Sequence, residues 1–164
     1  MKTIKAVPVT QENWAPYGYL VNIADPGDAY SLGSYPCTFH RDMALAPMAS
    51  SATIAFGSLK VGPREMLIRD VEYHSEASEV MMPFDDDMVM YAGPANGGVP
   101  EPDKLEAFII PKGTMTIFRA GAWHGAPFPL HGDGTLLICL PERTYLTDTY
   151  KIFLEEQDYI KIEL

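Results

Sequence analysis

The stretch "EMLIRDVEYHSEASEVMMPF", residues 65–84, joins strand-length apolar runs to one histidine and several acids. "EMLIRDVEYH" predicts a strand, in which alternate side chains point to the same face. One face then carries Met66, Ile68, Asp70, Glu72 and His74. Four residues separate His74 from Glu79, enough for the chain to turn and present a third polar side chain before the apolar run "EVMMPF".

Segments of similar length recur on both sides of this stretch. They include "TIKAVPV", "SATIAFGSLKV", "DMVMYAG", "LEAFIIP", "TMTIFRAG" and "GTLLICLP". Fourteen prolines and thirteen glycines are spread between them, which is typical of short strands joined by turns. We expect one domain, residues 1–164, with an all-β barrel or sandwich. A short helix capped by Thr10 is expected near residues 10–16, and residues 22–50 are rich in loops.

The composition of the chain disfavours some classes of binding partner and cellular location. The chain has a net charge of −10, which disfavours nucleic acid and anionic membranes as partners. No apolar segment is long enough to span a bilayer, and none has the features of a signal peptide. Cys37 and Cys139 lack metal-ligand spacing, and two reduced thiols are typical of a cytoplasmic protein.

The residues that carry chemistry are two carboxylates and two imidazoles. His124, in "RAGAWHGAPF", lies on a different segment from Glu72, His74 and Glu79. These four side chains form a nitrogen and oxygen ligand set for one divalent metal ion, either Mn, Fe, Ni, Co or Zn. We expect them to converge inside the barrel, because their apolar neighbours must face the core and a buried carboxylate needs compensation.

The same residues resemble the two cupin motifs. The first motif runs His-x-His, three or four residues, Glu, six residues, Gly, and Glu72, His74, Glu79 and Asp86 occupy the corresponding positions. Gly-x-x-His of the second motif is matched by "GAWH", which ends at His124. The resemblance implies a cupin-type antiparallel β-barrel, that is, a double-stranded β-helix or jelly roll.

A more specific resemblance extends over nearly the whole chain. The chain resembles the ureidoglycolate lyase family, also called ureidoglycolate hydrolase, through collinear segments. These are "VTQENWAPYG", "FHRDMAL", "EYHSEASEVMMPF", "LEAFIIPKG", "WHGAP" and "LLICLPER". The chain departs from the family pattern at Glu79, where relatives carry Gln, at Gly125, where a second His is frequent, and at residues 118–120.

The resemblance implies an enzyme that cleaves ureidoglycolate to glyoxylate and urea in allantoin and purine nitrogen catabolism, and a homodimer. A base removes the hydroxyl proton as the C–N bond breaks, and an acid protonates the departing urea nitrogen. A metal at the four ligand positions binds the α-hydroxy acid and lowers the pKa of its hydroxyl. Without a metal, His74 and His124 are the acid and base, and Glu79 orients one of them.

Two other functions remain open on the residues. One is a metal-dependent cupin isomerase or oxygenase that acts on another small hydroxy or keto acid, which the departures at Glu79 and Gly125 favour. The other is a non-catalytic cupin that binds a metabolite. The second alternative predicts no bound metal and no convergent acid and base.

An anionic substrate requires cations. The candidates are Lys60, Arg64, Arg119 and Arg143. The alternative interpretation for each of them is a surface residue that binds no substrate. Lys60 shares a face with Ile54 and Phe56, which predicts an inward orientation if that face lines the barrel. Trp123, beside His124, is expected in the core or in the pocket wall.

Several polar or alternating segments have a simpler structural interpretation. His40 and His131 lie in predicted loops, and we expect both to be exposed. "PFDDD", residues 83–87, predicts a solvated turn. The terminal "YIKIEL" alternates as an edge strand does, and an exposed edge is a candidate dimer contact.

Overall fold

The computed structural model describes residues 1–164. The strands, in chain order, are β1 (Lys2–Pro8), β2 (Gly18–Asn22), β3 (Ser31–Ser34), β4 (Cys37–His40), β5 (Ile54–Val61), β6 (Leu67–Ile68), β7 (Asp70–Tyr73), β8 (Glu79–Pro83), β9 (Met88–Ala92), β10 (Glu106–Ile110), β11 (Thr114–Phe118), β12 (Phe128–Pro129), β13 (Gly134–Pro141), β14 (Tyr150–Phe153) and β15 (Ile160–Glu163). The helices are α1 (Gln11–Trp14), α2 (Thr144–Thr147) and two single 3₁₀ turns, Pro102–Lys104 and Glu156–Asp158.

Two large sheets form the body of the protein. One has six strands in the order β12-β9-β10-β1-β15-β6, and the other has five in the order β2-β11-β8-β13-β5. Two-stranded pairs, β14-β7 and β3-β4, complete the architecture. The predicted all-β fold with a short N-terminal helix is confirmed.

The largest hydrophobic cluster fills the space between the two sheets. Both sheets contribute side chains to it: Met88, Met90 and Phe108 come from the six-stranded sheet, and Met81 and Leu136 from the five-stranded sheet. Methionines suit such an irregular interior because their unbranched side chains adapt to the available space.

Helix α1 closes one end of this interior. Thr10 Oγ1 accepts a hydrogen bond from the Asn13 backbone N–H, and Asn13 Oδ1 accepts one from the Thr10 backbone N–H, which forms a capping box. The cap fixes the helix so that Trp14 is fully buried, with its ring edge-on to Phe108 and Phe118. The predicted helix and its Thr10 cap are therefore both present.

Strand β1 lies in the middle of the six-stranded sheet. Its first half pairs in parallel with β15, and its second half pairs in parallel with β10. The edge-strand interpretation of "YIKIEL" is therefore wrong, because β15 lies between β1 and β6. Ile160 and Ile162 are buried in the second hydrophobic cluster, which the alternation of the segment already required.

Two local expectations differ from the structure. "EMLIRDVEYH" is not one strand, because it is interrupted at Arg69 between β6 and β7. Ile68 and Val71 consequently join the same hydrophobic cluster, and the face shared by Glu72 and His74 does not extend back to Ile68. The loop-rich segment 22–50 contains the β3-β4 hairpin, which pairs with no other strand.

None of the helices combines the length and the apolar composition that a membrane span requires.

Candidate functional site

Glu79 opens strand β8 and faces the interior. Met81, two residues on, belongs to the cluster between the sheets, whereas Val80 belongs to a small cluster on the outer face of the five-stranded sheet. The alternation of the strand therefore brings the Glu79 carboxylate inward with Met81. Only 5% of Glu79 is exposed.

His124 and His74 reach the same place from two other segments. Gly121 has a φ of +82°, which L side chains rarely adopt, and its backbone N–H donates to the His74 carbonyl at 2.7 Å. Beyond this turn, His124 and Glu72 exchange backbone hydrogen bonds of 2.8 and 2.9 Å. The glycine turn and this bridge hold the His124 segment beside β7, which ends next to His74.

The three side chains form one compact group. Glu79 Oε2 lies 2.7 Å from His124 Nε2 and 3.1 Å from His74 Nε2. The ligand atoms of the three residues lie within 4.8 Å of one another, and all three residues are buried. The His124 ring also stacks on Phe118, with 4.6 Å between ring centroids.

Backbone carbonyls fix the orientation of both imidazoles. Nδ1 of His74 contacts the Asp148 carbonyl oxygen at 2.7 Å, and Nδ1 of His124 contacts the Ala122 carbonyl oxygen at 2.8 Å. A carbonyl oxygen only accepts, so each Nδ1 carries a hydrogen and each Nε2 faces Glu79. Such a contact is favourable when Nε2 is protonated or when a cation lies between the imidazoles and the carboxylate.

Burial and the hydrogen bonds among these three residues shift the pKa values of Glu79 and His74. Burial by itself raises the pKa of Glu79, but the hydrogen bonds from His124 and His74 outweigh burial and lower that pKa to about 2. Burial lowers the pKa of His74, whereas its hydrogen bond to Glu79 raises it, and the net direction is upward. The carboxylate is therefore held in its charged form.

Glu72 lies beside this group rather than in it. Its Oε2 lies 3.8 Å from Lys151 Nζ, and Lys151 also contacts Asp70 Oδ1 at 2.9 Å. Its ligand oxygens lie outside the cluster formed by His74, Glu79 and His124. The predicted fourfold convergence is therefore threefold in the structure.

A cavity of about 350 Å³ opens onto the cluster. Glu72, His74 and Glu79 line it, whereas His124 does not. The lining also includes apolar residues from β5 and β13: Ala55, Phe56, Gly57, Ile138 and Leu140. Small-ligand sites commonly combine a mostly apolar wall with a few convergent polar groups.

Arg143 is the cation that lines this cavity. It follows β13 and precedes α2 with a φ of 63°, the left-handed conformation. Its guanidinium forms no ion pair, and of the four candidate cations it alone lies beside Glu79 and His74. A non-glycine residue in this conformation costs about 1 kcal/mol or more, and such strain clusters at functional sites.

Lys60 points away from the interior. The inward face of β5 carries Leu59 and Val61, which pack against the cluster between the sheets. Lys60 does share a face with Phe56 as predicted, but Phe56 is 74% exposed and this face is the outer one. The predicted inward orientation of Lys60 is wrong, because a lysine can extend into water where the core requires Leu59 and Val61.

Arg64 and Arg119 have structural contacts elsewhere. Arg64 donates to the carbonyl oxygens of Ala126 and Pro127 at 3.0 and 2.7 Å. Arg119 donates to the Ala15 carbonyl at the end of α1, at 2.8 Å. Neither lines the cavity that contains Glu79, so both differ from the expectation that they bind substrate there.

Trp123 packs on the opposite side of its segment from His124. It belongs to the cluster on the outer face of the six-stranded sheet, and its Nε1 donates to Asn96 Oδ1 at 2.9 Å. Consecutive residues of an extended segment point in opposite directions, so His124 faces the site and Trp123 faces away from it. Trp123 is a core residue rather than a wall of this cavity.

Gly125 has a steric reason to be glycine. A Cβ placed there would lie 1.9 Å from the Tyr91 hydroxyl, which donates to the Asp70 carbonyl at 2.9 Å. The departure from the family pattern at Gly125 is thus linked to the position of Tyr91.

The segment 144–149 was not predicted to take part in the site. Asp148 accepts hydrogen bonds from Ser75 and from the Glu76 backbone N–H, which secures the turn after His74. Thr149 and Tyr145 line the cavity. The resemblance at the strand end "LPER" was the only feature of the sequence that pointed to this region. The Asp148 backbone carbonyl contacts His74, and any residue type has such a carbonyl, so the sequence does not indicate this contact.

A second acid and histidine pair lies at the turn after β8. Asp86 is buried, and its carboxylate accepts hydrogen bonds from His131 Nδ1 and from the backbone N–H groups of His131 and Gly132. The prediction that "PFDDD" is a solvated turn is wrong for Asp86, although it holds for Asp85. The His131 side chain is 72% exposed, as expected.

A family model described as "Ureidoglycolate lyase" matches residues 1–161. A protein of Agrobacterium fabrum (strain C58) named "Putative ureidoglycolate lyase" is 25% identical over 137 residues, 82% of this chain and 80% of its own length. The protein of Rhodobacter capsulatus named "Ureidoglycolate lyase" is 25% identical over 138 residues, 82% of this chain and 83% of its own length.

Two solved structures match this chain at lower sequence identity. The dTDP-6-deoxy-D-glucose-3,5-epimerase of Legionella pneumophila is 12% identical, with a TM-score of 0.46 over 80% of this chain and 73% of that chain. The Bacillus subtilis oxalate decarboxylase, which has Mn(II) centres, is 13% identical, with a TM-score of 0.41 over 74% of this chain and 33% of that chain.

Proposed function

This chain belongs to the ureidoglycolate lyase family, and on that premise we propose that it cleaves ureidoglycolate to glyoxylate and urea. The reaction recovers nitrogen from allantoin and purines. The observation that carries the proposal is the convergence of His74, Glu79 and His124 at the base of a cavity that Arg143 also lines. That cavity combines groups for an α-hydroxy carboxylate with groups for proton transfer.

The cluster also supports a bound divalent metal ion. Two imidazoles, each with Nδ1 on a backbone carbonyl and Nε2 toward Glu79, are oriented as metal-ligating histidines are in proteins. The donor set of two nitrogens and one carboxylate oxygen suits Mn, Fe, Ni, Co or Zn. His74, Glu79 and His124 would hold such a cation, and its charge would then take the place of the protons that the two Nε2 atoms otherwise need in order to face a carboxylate.

Arg143 binds the substrate carboxylate in this proposal. The protein has a net charge of −10, so an anionic substrate needs a local cation. Arginine pairs with carboxylates through two parallel hydrogen bonds. The cavity volume of about 350 Å³ is sufficient for a small hydroxy acid that carries a ureido group.

Proton transfer completes the reaction. The hydroxyl proton of ureidoglycolate passes to a base as the C–N bond breaks, and an acid delivers one proton to the departing urea nitrogen, so the proton balance is zero. In this proposal Glu72, which lines the cavity, carries one of these transfers, and His74 carries the other when no metal occupies its Nε2. Glu79 orients His74 through the hydrogen bond at Nε2. A metal bound at the cluster would supply Lewis acidity, which would lower the pKa of the substrate hydroxyl.

The functional unit in this proposal is a cytoplasmic homodimer. Two free cysteines, Cys37 and Cys139, favour a reducing compartment. The exposed strand β5 at one edge of the five-stranded sheet favours a partner that covers it.

Metal analysis followed by a product assay tests the proposal. Freshly purified protein is expected to contain about one divalent metal ion per chain and to release glyoxylate and urea in equal amounts from ureidoglycolate. Arg143→Ala should raise KM, whereas Arg69→Ala, which removes an exposed cation that contacts Glu65 instead, should leave KM unchanged. Failure to release either product from the metal-loaded protein would refute the lyase assignment.

A further inference from the structure

The cavity beside Glu79 has more lining than the proposed reaction uses. Its carboxylates, imidazole and guanidinium belong to Glu72, Glu79, His74 and Arg143, and the reaction uses each of them for the substrate carboxylate or for proton transfer. Strands β5 and β13 contribute an apolar wall, which includes Ala55, Gly57, Ile138, Leu140 and Pro141. The reaction leaves this wall unused, so it is available to bind a part of the substrate that does not react.

The apolar wall extends from the strand next to Glu79 to the edge of the sheet. Glu79 is the first residue of β8, which pairs with β13, and β13 pairs with β5, the last strand of this sheet. Across the second pair, Gly57 lies opposite Ile138, and Ala55 lies opposite Leu140. Neighbouring strands lie about 4.8 Å apart, so the wall extends roughly 10 Å from Glu79.

Gly57 leaves open space in this wall. A Cβ placed at Gly57 would meet no other atom within 4 Å, and its φ lies outside the left-handed region, so the backbone there accepts any side chain. The cavity measures about 350 Å³, within the range of roughly 300–1,000 Å³ that is typical of pockets for drug-sized ligands. Ureidoglycolate is much smaller than such ligands, so it leaves part of the cavity unfilled.

The threonines of the cavity offer no hydrogen-bond donor to a substrate. Thr144 Oγ1 donates to the Pro141 carbonyl oxygen at 2.8 Å, and Thr149 Oγ1 donates to the Thr144 carbonyl oxygen at 3.0 Å. A hydroxyl has a single hydrogen, so both are already used. Against the apolar wall, the terminal amide of a ureido group would lose its hydrogen bonds to water, which is costly. An apolar group is stabilised in the same place.

We propose that the site cleaves N-acyl-α-hydroxyglycines with an apolar acyl group, and that the wall formed by β5 and β13 binds this acyl group. The proposal rests on the proposed lyase function, because ureidoglycolate is the member of this class whose acyl group is carbamoyl. Every member reacts in the same way. The hydroxyl proton passes to a base, the hydroxyl carbon becomes the aldehyde of glyoxylate, and the C–N bond breaks with its electron pair on nitrogen. An acid protonates that nitrogen and yields the primary amide, so no oxidant or reductant is required.

A series of N-acyl-α-hydroxyglycines from N-acetyl to N-hexanoyl tests the proposal, with ureidoglycolate for comparison. Every member releases glyoxylate, so one assay measures all of them. Each methylene buried against the wall adds up to about fourfold to kcat/KM, and the N-hexanoyl compound should exceed the N-acetyl compound and ureidoglycolate at least about tenfold. Values of kcat/KM that stay constant or fall along the series would overturn the proposal.

Gly57→Leu locates the acyl group. The leucine side chain fills the open space at Gly57, so the ratio of kcat/KM for the N-hexanoyl and N-acetyl compounds should fall at least about tenfold. Gly132→Leu is the matched control and should keep the wild-type ratio, because a Cβ there also meets nothing within 4 Å but Gly132 does not line the cavity. Thermal unfolding and light scattering verify the fold and mass of both variants. A wild-type ratio in folded Gly57→Leu would contradict binding at this wall.

Binding of unreactive analogues separates the acyl-binding wall from the lyase reaction. N-acylglycines lack the hydroxyl whose proton must leave, so calorimetric titration measures their binding without turnover. The Kd of N-hexanoylglycine should be at least about tenfold lower than that of N-carbamoylglycine. If this difference is found but no member of the series releases glyoxylate, the lyase reaction is refuted and the acyl-binding wall is retained. Equal Kd values would overturn the wall, whatever the result of the glyoxylate assay.

Discussion

Glu79 and Asp86 are both buried, and each accepts hydrogen bonds from histidine, yet the two carboxylates have different partners. Asp86 accepts two backbone N–H groups and one imidazole, and these bonds connect two turns. Glu79 accepts only from His74 and His124. The pKa of each carboxyl is about 2, so a low pKa alone does not distinguish a structural acid from a functional one.

The kind of hydrogen-bond donor distinguishes the structural carboxylate, Asp86, from the functional candidate, Glu79. Backbone donors cannot leave a carboxylate without moving the chain, so Asp86 has a structural role in its turn. Imidazoles can exchange a proton for a cation, and the cavity beside Glu79 gives a ligand access to His74. A buried carboxylate whose donors are all side chains is therefore the better candidate for chemistry.

The largest expected effect is at Glu79. Glu79→Gln keeps the size of the side chain and one acceptor but removes the charge, so metal content should fall and turnover should drop at least about 100-fold. Metal analysis and initial rates measure both changes. His131→Ala, which alters the other acid and histidine pair, is the matched control and should leave both unchanged. Wild-type metal content and activity in both Glu79→Gln and His124→Ala would place the site elsewhere.

Arg143→Gly separates function from stability within the cavity. Loss of the guanidinium should raise KM roughly 10- to 100-fold, as expected for a charged hydrogen-bonding pair. Glycine adopts the left-handed conformation without strain, so the free energy of unfolding should rise by about 1 kcal/mol. Steady-state kinetics and urea unfolding measure the two effects. A variant that loses both stability and affinity would contradict the assignment of strain to Arg143.

Asp86→Asn should lower the stability of the protein and leave its catalysis unchanged, in contrast to Arg143→Gly. The amide cannot accept all three hydrogen bonds that the carboxylate accepts, so we expect unfolding to become easier by about 1–2 kcal/mol. KM and turnover should stay within about twofold of wild type, since Asp86 does not line the cavity. Urea denaturation gives the stability, and a loss of activity at full stability would show that this turn influences the site.

The smallest effect is the pH dependence that Asp86 confers. Burial raises its pKa, but hydrogen bonds from the backbone and side chain of His131 lower it to about 2, compared with about 3.9 in an unfolded chain. The unfolded state therefore binds the proton more readily, and the stabilisation is complete above about pH 4 and is lost as the pH falls toward 2. Unfolding midpoints of wild type and Asp86→Asn should differ at pH 7 and approach each other near pH 2. A constant difference across this range would refute the role of the charge.

Alternation and turn chemistry explain what the sequence predicted. Glu79 and Met81 share the inner face of β8 because a strand has a period of two, and Thr10 caps α1 because its hydroxyl accepts a backbone N–H. The convergence of His74, Glu79 and His124 depends on the same alternation together with the turn at Gly121. The functional roles of these residues stay predictions until they are tested.

Two of the failures share one physical cause, which is that periodicity does not tell which face or edge a strand presents. Lys60 shares a face with Phe56 as predicted, but this face is the outer one. "YIKIEL" alternates as an edge strand does, yet it pairs on both sides. The place of Arg143 depends on a left-handed backbone conformation that no neighbouring side chain indicates.

The position of β1 has a consequence for biosynthesis. Its two neighbours, β10 and β15, begin at residues 106 and 160, so a nascent chain leaves the ribosome with β1 unpaired and completes its central sheet only after β15 has emerged. Contacts between residues this distant in sequence form slowly, and an unpaired strand is prone to aggregation. Heterologous expression should therefore benefit from slow translation, low temperature or holding chaperones, whatever reaction the folded enzyme catalyses.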